Sequence, residues 1–187
     1  APDPTAGGGV TADVVDVTWE ISGTSRFDTI DQTGTVTAEA TFGHSVHLVA
    51  TLEPGYWYYR FRVGAFTSPV GVTRTAPGSD TAVSRVRFVS ASCQNYEDGH
   101  YIAHRDIVEV QPDFLVWLGD YIYEGAAGEI GVDGNVRTHG TPEPTTLVDY
   151  RNRYALYRSD PDLQASHATC PWFVIWDDHE VENNHAG

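Results

Sequence analysis

The chain has 187 residues and a formal charge of −15, from 26 acidic and 11 basic side chains. That balance excludes simple electrostatic binding to nucleic acid or an anionic membrane, because phosphate attraction needs Lys and Arg; surplus carboxylates suit Ca²⁺. No run of 18 apolar residues offers a transmembrane helix, while 41% hydrophobic and 12% aromatic content suffices for one or two small cores.

All 11 basic residues are Arg, which reads as the codon bias of a GC-rich bacterial genome. The opening Ala1-Pro2-Asp3-Pro4, without an initiator Met, reads as the start of a mature chain after signal removal. Residues 1–11 form a Pro- and Gly-rich tail. From 12 to 75 apolar and polar residues alternate. Val15, Val17, Trp19 and Ile21 share one face, with Asp16, Thr18 and Glu20 on the other. Val36, Ala38 and Ala40 repeat the pattern, followed by Val46, Leu48 and Ala50, then Trp57, Tyr59, Phe61 and Val63. Half-buried antiparallel strands at this spacing predict a β-sandwich of the fibronectin III or immunoglobulin type. Trp57 and its aromatic neighbours read as core and corner packing in preference to a carbohydrate platform. The run 68–82 is rich in Pro, Gly, Ser and Thr and reads as linker, with the boundary between domains placed over 76–84.

From 85 to 187 the pattern changes to strand, helix, strand, helix, strand, the first part of an α/β domain. Val86–Ser92 is a strand ending at Cys93. His100–Val110 is a short helix stopped before Pro112. Phe114–Leu118 is an apolar run of the kind found in buried parallel strands, and it stops at Gly119-Asp120. Leu147–Gln164 is helical, with a core stripe of Tyr150, Tyr154 and Tyr157, and Asp160-Pro161 is a point where it breaks in two. Trp172–Trp176 is a third strand, ending in Asp177-Asp178-His179-Glu180.

In open α/β sheets the chemistry sits beyond the carboxyl ends of the strands, and all three strands deliver metal-ligand chemistry there. Asp120 and Tyr123, three residues apart, can grip one hard cation, and Fe(III) is the one phenolate suits best. The bland reading of the same pair is a turn Asp capping the next element and a rim tyrosine.

ASCQNY (91–96), GDYIY (119–123) and WDDHEVENN (176–184), in this order, resemble the PhoD-type alkaline phosphatases of the calcineurin-like metallophosphoesterases. The resemblance covers about residues 85–187, and a secreted actinobacterial phospholipase D shares the pattern. It implies a secreted phosphoric ester hydrolase acting on monoesters, diesters or phospholipid headgroups, with a hydroxide held between two metals attacking phosphorus in line. It implies Fe³⁺ held by Cys93, Tyr123 and a bridging Asp120, and Ca²⁺ (one or two ions) held by Asp178. His179 takes the place of a stabiliser or proton donor, Asp177 that of its supporting neighbour, and Glu180, Asn183 and Asn184 are candidates for a further Ca²⁺ or for phosphate oxygens. Export through the twin-arginine route follows from the same resemblance. So does a partner, the C-terminal remainder of the same polypeptide, which completes the metal site; alone, this chain is expected to be inactive, with sheet edge and apolar surface left open.

Two cysteines in an exported protein invite a disulfide. Cys93 ends one strand, whereas Cys170 precedes the start of a parallel one, roughly 20 Å away for a strand of about six residues, against a limit of ~7 Å for Cα atoms. Cys93 is therefore free to be a thiolate ligand, and Cys170 is a buried thiol or pairs outside the chain. His44 and His47 read as surface residues of the sandwich. His100 and His104 share a helix face without a metalloprotease Glu between them. His139 lies in the Gly- and Pro-rich loop 124–146, which reads either as a substrate-selecting overhang or as a surface loop. The competing reading of the whole chain is a non-catalytic β-sandwich binding or interaction fragment, which needs none of the three strand-end motifs.

Overall fold

The structure is a computed structural model that describes residues 14–39, 45–129 and 134–185. The tail 1–11, Ala40 and His44 lie outside the described residues. The N-terminal region is built from β1 (Val15–Ser22), β2 (Gln32–Ala38), β3 (Tyr56–Val63), β4 (Phe66–Thr67) and β5 (Gly71–Arg74). They form one antiparallel sheet in the order β2-β1-β3-β4, with β5 also on β3. Val15 pairs with Ala38 and Trp19 with Phe61, as alternation requires of strands that share a face. Glu20, expected on the solvent side, is buried because Arg60 and Arg62 close over it at 2.5 and 3.5 Å.

Two expectations are corrected here. The strand expected over Val46–Ala50 is not formed; that segment is tied to β2 through the Gln32 side chain, whose Nε2 donates to the Thr51 carbonyl at 2.8 Å. The Pro- and Gly-rich run 68–82 is not linker throughout, because it contains β5. Gly71 is there for space: a Cβ would come within 2.2 Å of the Tyr59 ring packed across it. Among the described residues the N-terminal region is thus a single sheet, with no second sheet facing it.

The C-terminal region runs β6 (Phe88–Ala91), α1 (Ala103–Val110), β7 (Phe114–Trp117), α2 (Leu147–Tyr157), α3 (Pro161–Thr169) and β8 (Trp172–Val174), closed by a 3₁₀ turn at Asp178–Glu180. The three strands are parallel, in the order β6-β7-β8. Each is shorter than its apolar run, and α1 begins at Ala103 instead of His100. The break at Asp160-Pro161 is found where expected. Asp160 accepts the amides of Asp162 and Leu163, and Pro161 takes the first turn of α3, where its missing N–H is harmless. A capping box of Thr146 and Asp149 starts α2 as sharply. No helix among the described residues is long and apolar enough to cross a membrane.

The core lies between the sheet and the helices, around Leu115, Trp117, Ile122, Tyr157 and Leu163. Tyr157 is fully buried and Tyr150 and Tyr154 pack beside it, so the tyrosine stripe of α2 is core. The other face of the sheet carries Phe88, Phe114 and Phe173 in a row, ring centroids 5.5 Å apart at each step. Phe88 and Phe173 are 58% and 60% exposed, the open apolar surface expected of this sheet. The two sheets meet at Asp113, which pairs with Arg74, accepts from the Tyr56 hydroxyl at 3.2 Å and from the Arg87 amide at 2.8 Å.

Two buried histidines, His104 and His139, and the half-buried His167 are held neutral. His104 lies between Ser166 Oγ (2.7 Å) and Gln94 Oε1 (3.0 Å), stacked with Trp117 and Trp172; it is a core residue and makes no metal pair with His100. His167 contacts the Tyr121 hydroxyl at 2.8 Å, and burial, then Arg158, push its pKa down to about 3. Burial lowers His104 and His139 as well. An unfolded histidine titrates near 6.5, so below that pH the unfolded chain binds more protons than the folded one. Stability is therefore full above about pH 6.5 and is lost as the pH falls toward 3–4. Thermal melts of the complete polypeptide should show this fall between pH 7 and 4. His167→Phe, less stable at pH 7 because the Tyr121 hydroxyl loses its partner, should lose less over the same range; an unchanged pH slope would refute the assignment.

Candidate metal centre at the strand ends

The chain leaves β7 through a turn that only particular residues permit. Gly119 has φ +96°, and a Cβ there would lie 2.3 Å from Asp177 Cβ. Asp120 and Cys93 follow their strands with φ of +53° and +60°. For L-residues this region costs on the order of 1 kcal/mol each and persists where surroundings fix it. Here the loops fix each other: the Cys93 amide donates to the Gly119 carbonyl (3.2 Å) and the Gln94 amide to the Asp120 carbonyl (3.1 Å).

The result is a convergence on Asp120, 6% exposed. Its Oδ2 lies 3.4 Å from Cys93 Sγ and accepts from the Tyr123 hydroxyl at 3.2 Å. Cys93 and Tyr123 thus both meet the same Asp120 oxygen, so three donors that become anionic on deprotonation converge at one point. Asp120, Asp178 and His179 also offer ligand atoms within 4.8 Å of one another. Asp120 is common to both groups. Its Oδ1 is buried with no hydrogen-bond partner among the described residues, a state native structures rarely leave uncompensated. A cation is what such an atom fits, and thiol, phenol, carboxylates and imidazole are together a metal-binding donor set. Burial, then the Asp120 charge and Cys93, push the Tyr123 phenol far above the ordinary tyrosine range. Without a cation it stays protonated and donates to Asp120; a neighbouring cation inverts that preference.

Asp178 is lowered below the usual carboxylate range, first by the Asn184 amide, which donates to its Oδ2 at 2.5 Å. Its Oδ1 accepts from the His179 amide at 3.1 Å. Asp177 caps the same turn, its Oδ1 accepting from the Asp178 amide at 3.0 Å. Asn183 and Asn184, candidates for calcium or phosphate, enter through their main-chain amides. Asn183 donates to Glu124 at 2.7 Å, and Asn184, with φ +61°, donates to Asp178.

Glu180 has a different role from the one its sequence position suggests. It is 6% exposed, and its carboxylate accepts the amides of Asp177 (2.7 Å), Asp120 (3.0 Å) and Tyr121 (2.5 Å). With both oxygens taken by main-chain donors it holds the turn and is not available to a cation. The residue missed by sequence reasoning is Glu124. It is 4% exposed, and its Oε2 lies 2.8 Å from His179 Nδ1 while its Oε1 holds the Asn183 amide. This fixes the imidazole, which also lies against the Tyr123 ring at 4.2 Å, and leaves Nε2 free to face the site. No spacing rule links residues 55 apart; the one signal was a carboxylate directly after Tyr123.

Cys93 and Cys170 are both free, Cys93 exposed and Cys170 buried, as their strand positions required. Burial pushes the Cys170 thiol up to about 11, which makes it inert. His47 is exposed. His100, also exposed, lines a cavity of about 350 Å³ behind Cys93. The described parts of loop 124–146 are anchored: His139 is buried and Arg153 holds the carbonyls of Tyr123 and Gly125.

A parallel sheet with this strand-end cluster defines a class of α/β protein with a candidate metal site beyond its strands, and comparison with known proteins narrows it. The family model for PhoD-like phosphatase matches residues 88–187, and that for the PhoD-like phosphatase N-terminal domain matches residues 1–77. The chain belongs to the PhoD-like phosphatase family. Over 189 aligned residues it is 49% identical to alkaline phosphatase D of Bacillus subtilis strain 168, covering 100% of this chain and 32% of that protein. It superposes on a solved structure of PhoD with a TM-score of 0.94 at 46% identity, covering 100% of this chain and 36% of the other. The chain thus spans about a third of the length of these relatives.

The role given to Glu180 is open to direct measurement. Glu180→Ala in the complete polypeptide leaves several buried amides without acceptors and should lower stability by at least about 2 kcal/mol. Asn183→Ala, which keeps the amide and alters only an exposed side chain, should change it by less than about 0.5 kcal/mol. Urea midpoints of the two variants decide; equal values would remove Glu180 from its structural position.

Proposed function

We propose that this chain is the metal-binding N-terminal part of a secreted phosphoric ester hydrolase, acting on phosphate monoesters or diesters, with phospholipid headgroup cleavage included. The observation that carries the reading is Asp120, a buried carboxylate shared between two donor groups with one oxygen left unpartnered. Cys93, Tyr123 and Asp120 would hold Fe³⁺, and Asp178 with Asp120 would hold Ca²⁺, one or two ions. Bound there, the cations supply Lewis acidity toward the phosphoryl oxygens and lower the pKa of a water. His179, oriented by Glu124 through Nδ1, presents Nε2 to a phosphoryl oxygen or gives a proton to the leaving oxygen. Tyr123 packs on its ring and keeps it from turning. The C-terminal remainder of the polypeptide supplies the other ligands and covers the open face of Phe88, Phe114 and Phe173. Export by the twin-arginine route accords with metal loading before transport.

Asp120→Asn in the complete protein is expected to abolish turnover and leave the fold intact, since Asn keeps the shape and loses the charge that two cations share. Survival of turnover would remove Asp120 from the reaction. Metal analysis should give about one iron with calcium, together with a phenolate-to-iron absorption band that Tyr123→Phe removes. A colourless protein holding zinc alone would overturn the iron assignment, and one holding no metal would favour a binding module over an enzyme. Residues 1–187 alone are expected to be inactive.

A further inference from the structure

One buried group outside the donor set touches both loops that carry it. Tyr157 is the last residue of α2 and is fully buried. Its hydroxyl accepts the amide of Tyr96 at 3.2 Å and the amide of Tyr123 at 3.0 Å, and lies 3.0 Å from His139 Nε2. The two amides occupy its lone pairs, so its single proton goes to His139 Nε2. The other ring nitrogen agrees: Nδ1 lies 3.2 Å from the Gly125 carbonyl, which can only accept, so Nδ1 carries the proton. His139 is seated in turn by Glu97, whose Oε1 accepts its amide at 2.7 Å and whose Oε2 accepts the Gly128 amide at 2.9 Å. Arg153, one turn earlier on α2, holds the carbonyls of Tyr123 and Gly125.

Tyr96 is three residues beyond Cys93, and Tyr123 is itself a donor to the site. A single hydroxyl, brought in by a helix that contributes no ligand, therefore joins the Cys93 loop to the Asp120–Tyr123 turn. The Tyr123 peptide is gripped on both sides by α2, its N–H by Tyr157 and its carbonyl by Arg153.

We propose that the Tyr157 hydroxyl is a positioning group for the metal site: it sets the separation of Cys93 from Asp120 and Tyr123, and through His139 it ties that separation to the seating of the Gly125, Gly128 and His139 segments of the loop. The proposal rests on the metal-site reading above. It assigns the buried His139–Glu97 pair a purpose, since the pair holds the loop to the one hydroxyl that spans the site.

The test uses the complete polypeptide carrying Tyr157→Phe, with Tyr154→Phe as control. Tyr154 lies on the same helix, and its hydroxyl has no hydrogen bond among the described residues. Two rates are measured at a temperature where all proteins are folded. One is alkylation of Cys93 by iodoacetamide in metal-stripped protein, located by peptide mass, with unlabelled Cys170 reporting an intact fold. The other is loss of iron to a chelator from loaded protein. Tyr157→Phe is expected to label Cys93 roughly 3-fold or more faster and to release iron roughly 10-fold faster. Tyr154→Phe should match the wild type in both. Wild-type rates in a folded Tyr157→Phe protein overturn the proposal and leave Tyr157 as core packing. If no version binds iron but Cys93 labelling still responds to Tyr157→Phe, the iron reading fails and the positioning role stands. Should Tyr157→Phe not fold, His139→Ala keeps the hydroxyl and removes the loop's hold on it; faster labelling supports the proposal and wild-type labelling overturns it.

Discussion

The Glu180 carboxylate accepts the amides of Asp177, Asp120 and Tyr121 and so binds the end of β8 to the end of β7. The geometry of the site follows from that grip. It holds Asp120 in a left-handed conformation, which aims the carboxylate at Cys93 and Tyr123 while Gly119 passes against Asp177. Charge-assisted bonds to main-chain amides are among the stronger ones a protein makes, and several of them offset the strain of the turn. A carboxylate oriented in this way meets a cation without first reorganising, which is the condition for precise metal geometry.

What the sequence made legible followed from periodicity and from strand ends. Three apolar runs form three parallel strands, and Cys93, Asp120, Tyr123, Asp178 and His179 lie just past their carboxyl ends. Tyr150, Tyr154 and Tyr157 faced the core, and Asp160-Pro161 broke the helix. The failures have equally physical causes. Composition read β5 as linker because it contains Gly71, yet that glycine accommodates the Tyr59 ring inside a sheet. Alternation over Val46–Ala50 predicted a strand, but alternation records only which side is apolar and says nothing about whether a partner strand lies alongside. Glu20 was read as solvent-facing because no local pattern shows two arginines arriving from β3. Glu180 and Glu124 are the least legible: the sequence offers one as a candidate for calcium or phosphate and gives almost no sign of the other, because what distinguishes them is the long-range partner each oxygen meets.

The buried polar groups divide into two sets with different consequences. His104, with Ser166 and Gln94, lies among stacked indoles between α1, α3 and the sheet; it makes the core specific, and its protonation weakens it. His139, Glu97, Tyr157 and Arg153 lie under the loops instead and meet main-chain groups of Tyr96, Tyr123, Gly125 and Gly128. A main-chain donor or acceptor left unsatisfied in that position costs about 1–3 kcal/mol, so this second set makes the long loop part of the folded body. The Gly- and Pro-rich composition of 124–146 does not show this, because the anchors are side chains from elsewhere meeting backbone atoms that every sequence possesses.

Charge carries the last step. A protein of net charge −15 repels anions at long range, and the side chains that meet at Asp120 add further acids. Cys93, Tyr123, Asp120 and Asp178 converge without an arginine among them, so the donor set by itself opposes a phosphate ester. The same groups in the same places are the right complement for cations, and once cations are bound the sign of the local field reverses. On the proposed reading the order of events is therefore imposed by electrostatics: metal first, substrate second. It also accounts for a site in which a buried carboxylate oxygen is left without a donor among the described residues. An amide or arginine placed there would satisfy the apo state and compete with the ion, whereas the arrangement found leaves Asp120 Oδ1 incomplete until a cation arrives.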